Sequence, residues 1–319
     1  MIFAMKRLRV VVSLITQEND YQTEQAAAAE EAATRLGIDL EVLYADSDSI
    51  LQSQQILKYV QADAKARPEA IVLEPVGGTA LPQVARAAVS AGLAWVVLNR
   101  EVGYVRELRQ TAKVPVFGVA SDNLEIGRIQ GRQFAALMPQ GGSVLYIQGP
   151  SESDACKLRT LGMYETRASN VQVKTMKGNW TEASAFKAIT AWLRLATSQQ
   201  TPIDLVAAQN DAMAVGAKKA FQQFSYEGQA RDRWLSIPFI GCDGVARTGQ
   251  AWVRSGLLTA TVVAPPLAGT ALEMLSRAFQ TGATQPEISF IAPRSLPTIE
   301  SLTATAAQSS RSATAASRT

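Results

Sequence analysis

Histidine is absent from all 319 residues of the chain. That absence removes Ser-His-Asp and Cys-His catalysis, imidazole general bases and the usual zinc and iron ligand sets. Cysteine occurs only at Cys156 and Cys242, a separation that matches no metal or redox spacing, so two buried thiols are expected and a disulfide stays open. Neither G-x-G-x-x-G nor G-x-x-x-x-G-K-[ST] occurs, so the common phosphate-cradling loops are missing. No catalytic residue, metal or cofactor is therefore expected. Charge of one sign is also lacking: 31 basic residues face 28 acidic ones, a net +3 spread along the chain, which argues against a nucleic-acid partner. No apolar run approaches the roughly 18 residues of a membrane span, so no membrane insertion is expected.

What is present describes an ordered globular protein. Hydrophobic residues make up 47% and charged residues 18%, and the length calls for two lobes, each large enough to bury a core. At the amino end, basic and apolar residues are mixed, but the apolar run after Arg9 is short and reaches Gln17-Glu18-Asn19-Asp20 where a secretory signal would place its cleavage site. Val10 to Ile15 reads instead as a first strand. As the sequence stands the expected compartment is the cytoplasm, or the periplasm if the true start lies upstream.

Strand and helix then alternate: a helix over Tyr21 to Leu36, a strand over Leu40 to Tyr44, a helix over Ser49 to Ala66, a strand over Ile71 to Leu73 with Glu74-Pro75-Val76-Gly77-Gly78 as its loop. A helix over Leu81 to Ala91 and a strand over Trp95 to Leu98 follow, with Asn99-Arg100 at the strand's end. The pattern restarts past Val116 to Ala120, where Ser121-Asp122-Asn123 opens a helix, and strands recur at Val144 to Ile147 and Val171 to Met176. Such alternation implies right-handed βαβ units and parallel sheets. Beyond Leu302 no large apolar side chain occurs, and residues 303–319 read as a disordered tail.

Leu205 to Ala208 is a short apolar run suited to a strand covered on both faces, and Asp211 can cap the helix that follows. Asn210 is then left at the strand's carboxyl end, where open α/β sheets bind ligands; turn chemistry is the bland alternative. A second strand end, Ile237 to Gly244, delivers Asp243 to a similar edge. Ala-Gln-Asn-Asp-Ala-Met-Ala-Val-Gly-Ala at 208–217 and Gly-Cys-Asp-Gly at 241–244 together resemble the type I periplasmic binding proteins, the ribose-binding group in particular. The ligand domain of lactose-repressor-type regulators shares that fold.

The resemblance extends from about Arg7 to Leu302 and implies two Rossmann-like α/β lobes joined by a three-strand hinge. The lobes are expected at 1–120 plus 265–291 and at 121–264 plus 292–302. It also implies a ligand set. Asn19, Tyr21 and Gln22 match the Asn-x-aromatic segment before the first helix, Asn99-Arg100 an Asp-Arg pair, Lys157 a usual arginine and Trp180 a second aromatic, while Asn210 and Asp243 complete the site. The plainer roles are a helix-start staple for Tyr21, a salt bridge for Arg100 and core packing for Trp180; Arg159 is a further cation whose direction sequence leaves open. Trp95 and Trp192 fall within elements and are assigned to the core.

Three departures change which hydroxyls can be paired: Asn99 for an acid, Lys157 for an arginine, and Ala264 for a glutamine. With an acid lost and Arg100 and Lys157 facing the ligand, the resemblance implies a cationic site that prefers an anionic sugar derivative. The expected function is non-enzymatic binding of a small carbohydrate or derivative, with an ABC permease or a signalling protein downstream. A cytoplasmic sensor using the same site, and a Rossmann-like sugar or nucleotide enzyme, are the alternatives. If the lobes close on their ligand, small-angle scattering will show compaction on binding. Unchanged dimensions at saturation would exclude closure.

Overall fold

A computed structural model describes residues 7–77, 81–224, 234 and 236–316. The chain begins with β1 (Arg9–Leu14), α1 (Asp20–Leu36), β2 (Asp39–Tyr44), α2 (Ser49–Gln61), β3 (Ala70–Leu73), α3 (Pro82–Ser90), β4 (Ala94–Leu98), α4 (Tyr104–Arg109) and β5 (Val116–Ser121). It continues with α5 (Asn123–Leu137), β6 (Gly142–Gln148), α6 (Asp154–Thr166), β7 (Val171–Lys177), α7 (Glu182–Leu193), α8 (Ala196–Gln200), β8 (Leu205–Ala208), α9 (Asp211–Gln223), β9 (Phe239–Asp243), α10 (Gly249–Arg254) and β10 (Ala260–Val263). It ends with α11 (Ala268–Thr281), β11 (Ile288–Ile291), β12 (Arg294–Leu296) and α12 (Ile299–Ala316). Two compact units result, one from Met1–Ser121 with Pro266–Ile291 and the other from Asp122–Pro265 with Ala292–Thr319.

Unit 1 holds a six-stranded sheet in the order β11-β5-β4-β3-β1-β2, parallel throughout. Its central strands are buried along their whole length, as sheets covered by helices on both faces require. Alternate residues feed the two covers: Val10, Val12, Val72, Val96 and Leu98 join the cluster under α1 and α11. Val11, Ile71, Leu73, Trp95 and Val97 join the one under α2, α3 and α4. The late segment is fastened by Gln25 of α1, whose Oε1 accepts from the backbone N–H groups of Leu267 and Ala268 at 2.7 and 2.8 Å. Those are orphan donors at the start of α11.

Unit 2 repeats the plan in the order β12-β10-β9-β8-β6-β7, with only β12 antiparallel. Helices α5 and α6 meet backbone to backbone. A Cβ on Gly127 would lie 2.1 Å from the Arg159 carbonyl oxygen, and one on Gly162 would lie 2.0 Å from that of Leu124, so each helix needs glycine where the other crosses it. This seam sets the height of Arg159 in the unit.

Three expectations need correction. The helix expected to reach Ala66 ends at Gln61, and the six-residue α4 was not anticipated. The tail expected to be disordered is helical to Ala316. Its sequence lacks glycine and proline and is rich in alanine, the best helix former, and Leu302, only 3% exposed, anchors the helix start in the core of unit 2. Both cysteines are free and buried.

The glycine seam generates a prediction. Gly162→Ala would gain about 1 kcal/mol of helix propensity, but overpacking against a carbonyl costs about 1–3 kcal/mol, and a 2.0 Å approach belongs at the upper end. Chemical denaturation should show net destabilisation; a stabilised variant would contradict the backbone contact.

Candidate functional site

In unit 1 the polar groups gather where β1, β3, β4 and β5 end. Asn19 caps α1, its Oδ1 accepting from the N–H groups of Tyr21 and Gln22 at 2.9 and 3.3 Å. The Tyr21 hydroxyl lies 3.4 Å from Ser121 Oγ. Gln22 accepts from Ile15 N–H at 2.9 Å and donates to Glu74 Oε2 at 2.7 Å. Asn99 Nδ2 donates to Glu74 Oε1 at 3.1 Å. Behind them Gln52 donates to the Glu74 carbonyl at 2.9 Å and accepts from Val76 N–H at 2.9 Å. The Nε of Arg100 and the Oδ1 of Asn99 are buried without a partner among the described residues.

In unit 2 the organiser is Arg159, 7% exposed. Its Nε donates to Asn123 Oδ1 at 2.9 Å, and its Nη1 donates to the Gln209 carbonyl and, at 3.3 Å, to Asp243 Oδ1. Its guanidinium carbon lies 5.7 Å from the centroid of the Trp180 ring, within cation–π range. The ring sits over Gly149, where a Cβ would approach it to 2.2 Å. Asn210 caps α9, accepting from Met213 N–H at 2.9 Å and donating to the Trp180 carbonyl at 2.8 Å.

Asp211 is buried under this cluster and accepts from Gly244 N–H and Thr261 Oγ1, each at 2.7 Å. A Cβ on Gly241 or Gly249 would strike its carboxylate at 2.2 or 2.0 Å. It thus clamps the turn that carries Asp243. Burial, then the Asp243 carboxylate, push Asp211 well above the usual carboxylate range.

Three of the six non-glycine residues with positive φ among the described residues fall at the same places. Asn99, Trp180 and Asp243 have φ of 57°, 60° and 91°. Non-glycine residues enter that region rarely and at a cost, and they cluster at functional sites.

Set against the sequence reading, the structure brings Asn19, Tyr21, Gln22 and Asn99 together in one unit, with Arg100 adjoining, and Trp180, Asn210 and Asp243 in the other. One role moves by a residue: Asn210 is the cap expected of Asp211, with both ends of its amide engaged by the protein, and Asp211 is instead the buried clamp. Gln22 has both ends of its amide engaged by the protein. Lys157 stays outside its cluster, exposed and 2.9 Å from Asp154. Lys157 and Arg159 are two residues apart on α6, hence about 200° apart around it, and only Arg159 turns inward.

The expectation of a cationic site falls with these placements. Glu74 supplies, next to Asn99, the carboxylate whose loss that expectation assumed, and Lys157 contributes nothing to the cluster. Glu74 was read only as part of a loop; its signal was its position, first after a buried strand, as Asn99 is.

Two doubly wound units, each ending its strands on an aromatic ring among mixed donors and acceptors, define a two-unit α/β binding protein. The chain belongs to the periplasmic binding protein domain family, which matches residues 10–283. It is 29% identical to the putative rhizopine-binding protein of Rhizobium meliloti over 198 residues, a match that spans 60% of either chain. It is 25% identical to the D-apiose import binding protein of Paraburkholderia graminis over 281 residues, 86% of this chain and 82% of that one. Its fold is that of the Caulobacter myo-inositol binding protein bound to myo-inositol, with a TM-score of 0.74 at 23% identity over 93% of this chain and 95% of that one. A periplasmic solute binding protein from Actinobacillus succinogenes 130z with bound D-allose gives 0.76 at 20% identity over 91% and 97%. Among the described residues no helix is long and apolar enough to cross a membrane.

The raised Asp211 predicts a pH dependence. The folded protein keeps this proton to higher pH than the unfolded chain, whose aspartates release theirs near pH 4. Between the two values the native state binds more protons, so this contribution to stability declines as pH rises. Denaturation of wild type and Asp211→Asn across about pH 4 to 8 should show wild type losing ground to the variant with rising pH; parallel curves would refute the assignment.

Proposed function

We propose that the chain is a non-enzymatic solute-binding protein for a neutral polyhydroxylated ligand, a sugar or cyclitol. It delivers that ligand to an ABC-type permease in the compartment its family is named for. The observation that carries this reading is the Trp180 ring set beside Arg159 and Asp243. The face of a sugar or cyclitol ring is C–H-rich and buries against a flat aromatic, while its edge hydroxyls both donate to a carboxylate and accept from a guanidinium. Tyr21 with Asn99 and Arg100 repeats that combination in unit 1. The names of the relatives, which include ribose, allose and apiose binders, support the same class of ligand.

A thermal-shift screen over neutral sugars, cyclitols, sugar acids and phosphates should raise the melting temperature with a neutral member, since a native-state ligand stabilises by mass action. No shift with any of them would defeat the proposal. Trp180→Ala and Tyr21→Ala should each weaken binding of that ligand by on the order of 1–3 kcal/mol, the value of a stacked aromatic with its buried area. Asp243→Ala is the poorer probe, because it strands buried Arg159 without its carboxylate and destabilises the fold itself.

A further inference from the structure

We propose that Glu74 is a positioning residue that fixes the polarity of Asn99, so that with Arg100 it forms a subsite for a hydroxyl group and against carboxylate or phosphate. The inference rests on the reading of the chain as a binder of polyhydroxylated ligands and names what one part of that site admits.

Glu74 is the first residue after β3 and is 2% exposed. Each of its carboxylate oxygens takes one neutral amide, Oε2 from Gln22 at 2.7 Å and Oε1 from Asn99 at 3.1 Å. An ionised carboxylate only accepts, so both amides must turn their nitrogens toward it. For Gln22 the other end is spent on Ile15 N–H. For Asn99 it is not: Oδ1 is buried and lacks a donor among the described residues, while a φ of 57° holds the residue in place. A buried carbonyl oxygen without a donor is costly, and a bound ligand is the source that completes it.

The next residue supplies the opposite need. Arg100 Nε is a buried donor that likewise has no partner among the described residues. A hydroxyl donates to Asn99 Oδ1 and accepts from Arg100, satisfying both. A carboxylate or phosphate would suit Arg100 but set its oxygens against Asn99 Oδ1 and the Glu74 charge. An ammonium would suit the two acceptors and face the guanidinium. Only the neutral group fits all three neighbours.

Titration calorimetry tests this with three neutral probes, D-ribose, D-allose and myo-inositol, each beside its phosphate monoester, and with 2-amino-2-deoxy-D-allose. Wild type should bind at least one neutral probe about tenfold or more tighter than its ester, a difference of 1.4 kcal/mol. Glu74→Gln frees the Asn99 amide to turn over and should shrink that ratio toward one. Asn99→Asp places two carboxylates side by side and should cost about tenfold or more in neutral-probe affinity. The double variant Glu74→Gln/Asn99→Asp moves the acid across the pair and should recover to within about threefold of wild type, the non-additivity expected of coupled neighbours. That recovery also keeps the test decisive if one single variant folds poorly. An unchanged ratio in Glu74→Gln or a double variant no better than Asn99→Asp would each overturn the inference while leaving the proposed function intact, and wild-type preference for an ester or for the amino sugar would overturn the inference together with the neutral-ligand part of that function. Failure of all neutral probes to bind would overturn both.

Discussion

A peptide group just past the end of a buried parallel strand has lost its ladder partner without gaining water, and it must still be hydrogen-bonded. The rest of this structure depends on how that need is met. Buried glutamines meet it: Gln22 for Ile15, Gln52 for Val76 and Gln209 for Gly149 each accept from the backbone at 2.9 Å. Their other ends reach onward, Gln22 to Glu74 and Gln209 to Tyr146 and Thr160. Glutamine suits the task because one neutral side chain both accepts and donates, at a reach asparagine lacks. The loops beyond the strands are thereby fixed without burying charge, and the few ionisable groups that are buried, Glu74, Arg159 and Asp211, stand where that framework holds them.

Position along a helix matters as much as identity. The glycines of the α5–α6 seam bring two backbones into contact, and Arg159 on that seam is carried to the carboxyl ends of β8 and β9. Its guanidinium then collects Asn123, the Gln209 carbonyl, Asp243 and the face of Trp180. A lysine there would lose the planar fork that makes several bonds at once.

Much of the fold was legible because its signals are local. Apolar runs of strand length, Gly37 after α1 and the restart near Ser121 carry α/β alternation in the sequence itself, and Asn99, Asn210 and Asp243 could be placed at strand ends from it, whereas Asn19, Tyr21 and Trp180 were singled out by the family resemblance. What was not legible depends on partners distant in sequence. Asn210 and Asp211 are neighbours of nearly equal capping propensity and are both buried, and only the approach of Gly241, Gly244, Gly249 and Thr261 decides that Asp211 is the clamp and Asn210 the cap. Lys157 and Arg159 differ by the face they occupy, which the glycine seam settles. Glu74 and Asn99 are 25 residues apart, so the departure at 99 looked like a lost charge until its neighbour across the sheet edge was in view. The tail was misread for a different reason: the lack of large apolar residues was weighed above an alanine content that favours helix.

The left-handed backbone of Asn99, Trp180 and Asp243 has a consequence for how this protein can change. Glycine would relax the backbone at Asn99 and Trp180, so selection for heat resistance alone, in the laboratory or in a lineage, would be rewarded for erasing them, whereas Asp243 is kept by the fold's own need to pair Arg159. Stability and recognition therefore pull in opposite directions on two of these codons and together on the third. A hardened descendant of this chain would be recognised by a sound pair of α/β units whose strand ends no longer hold anything.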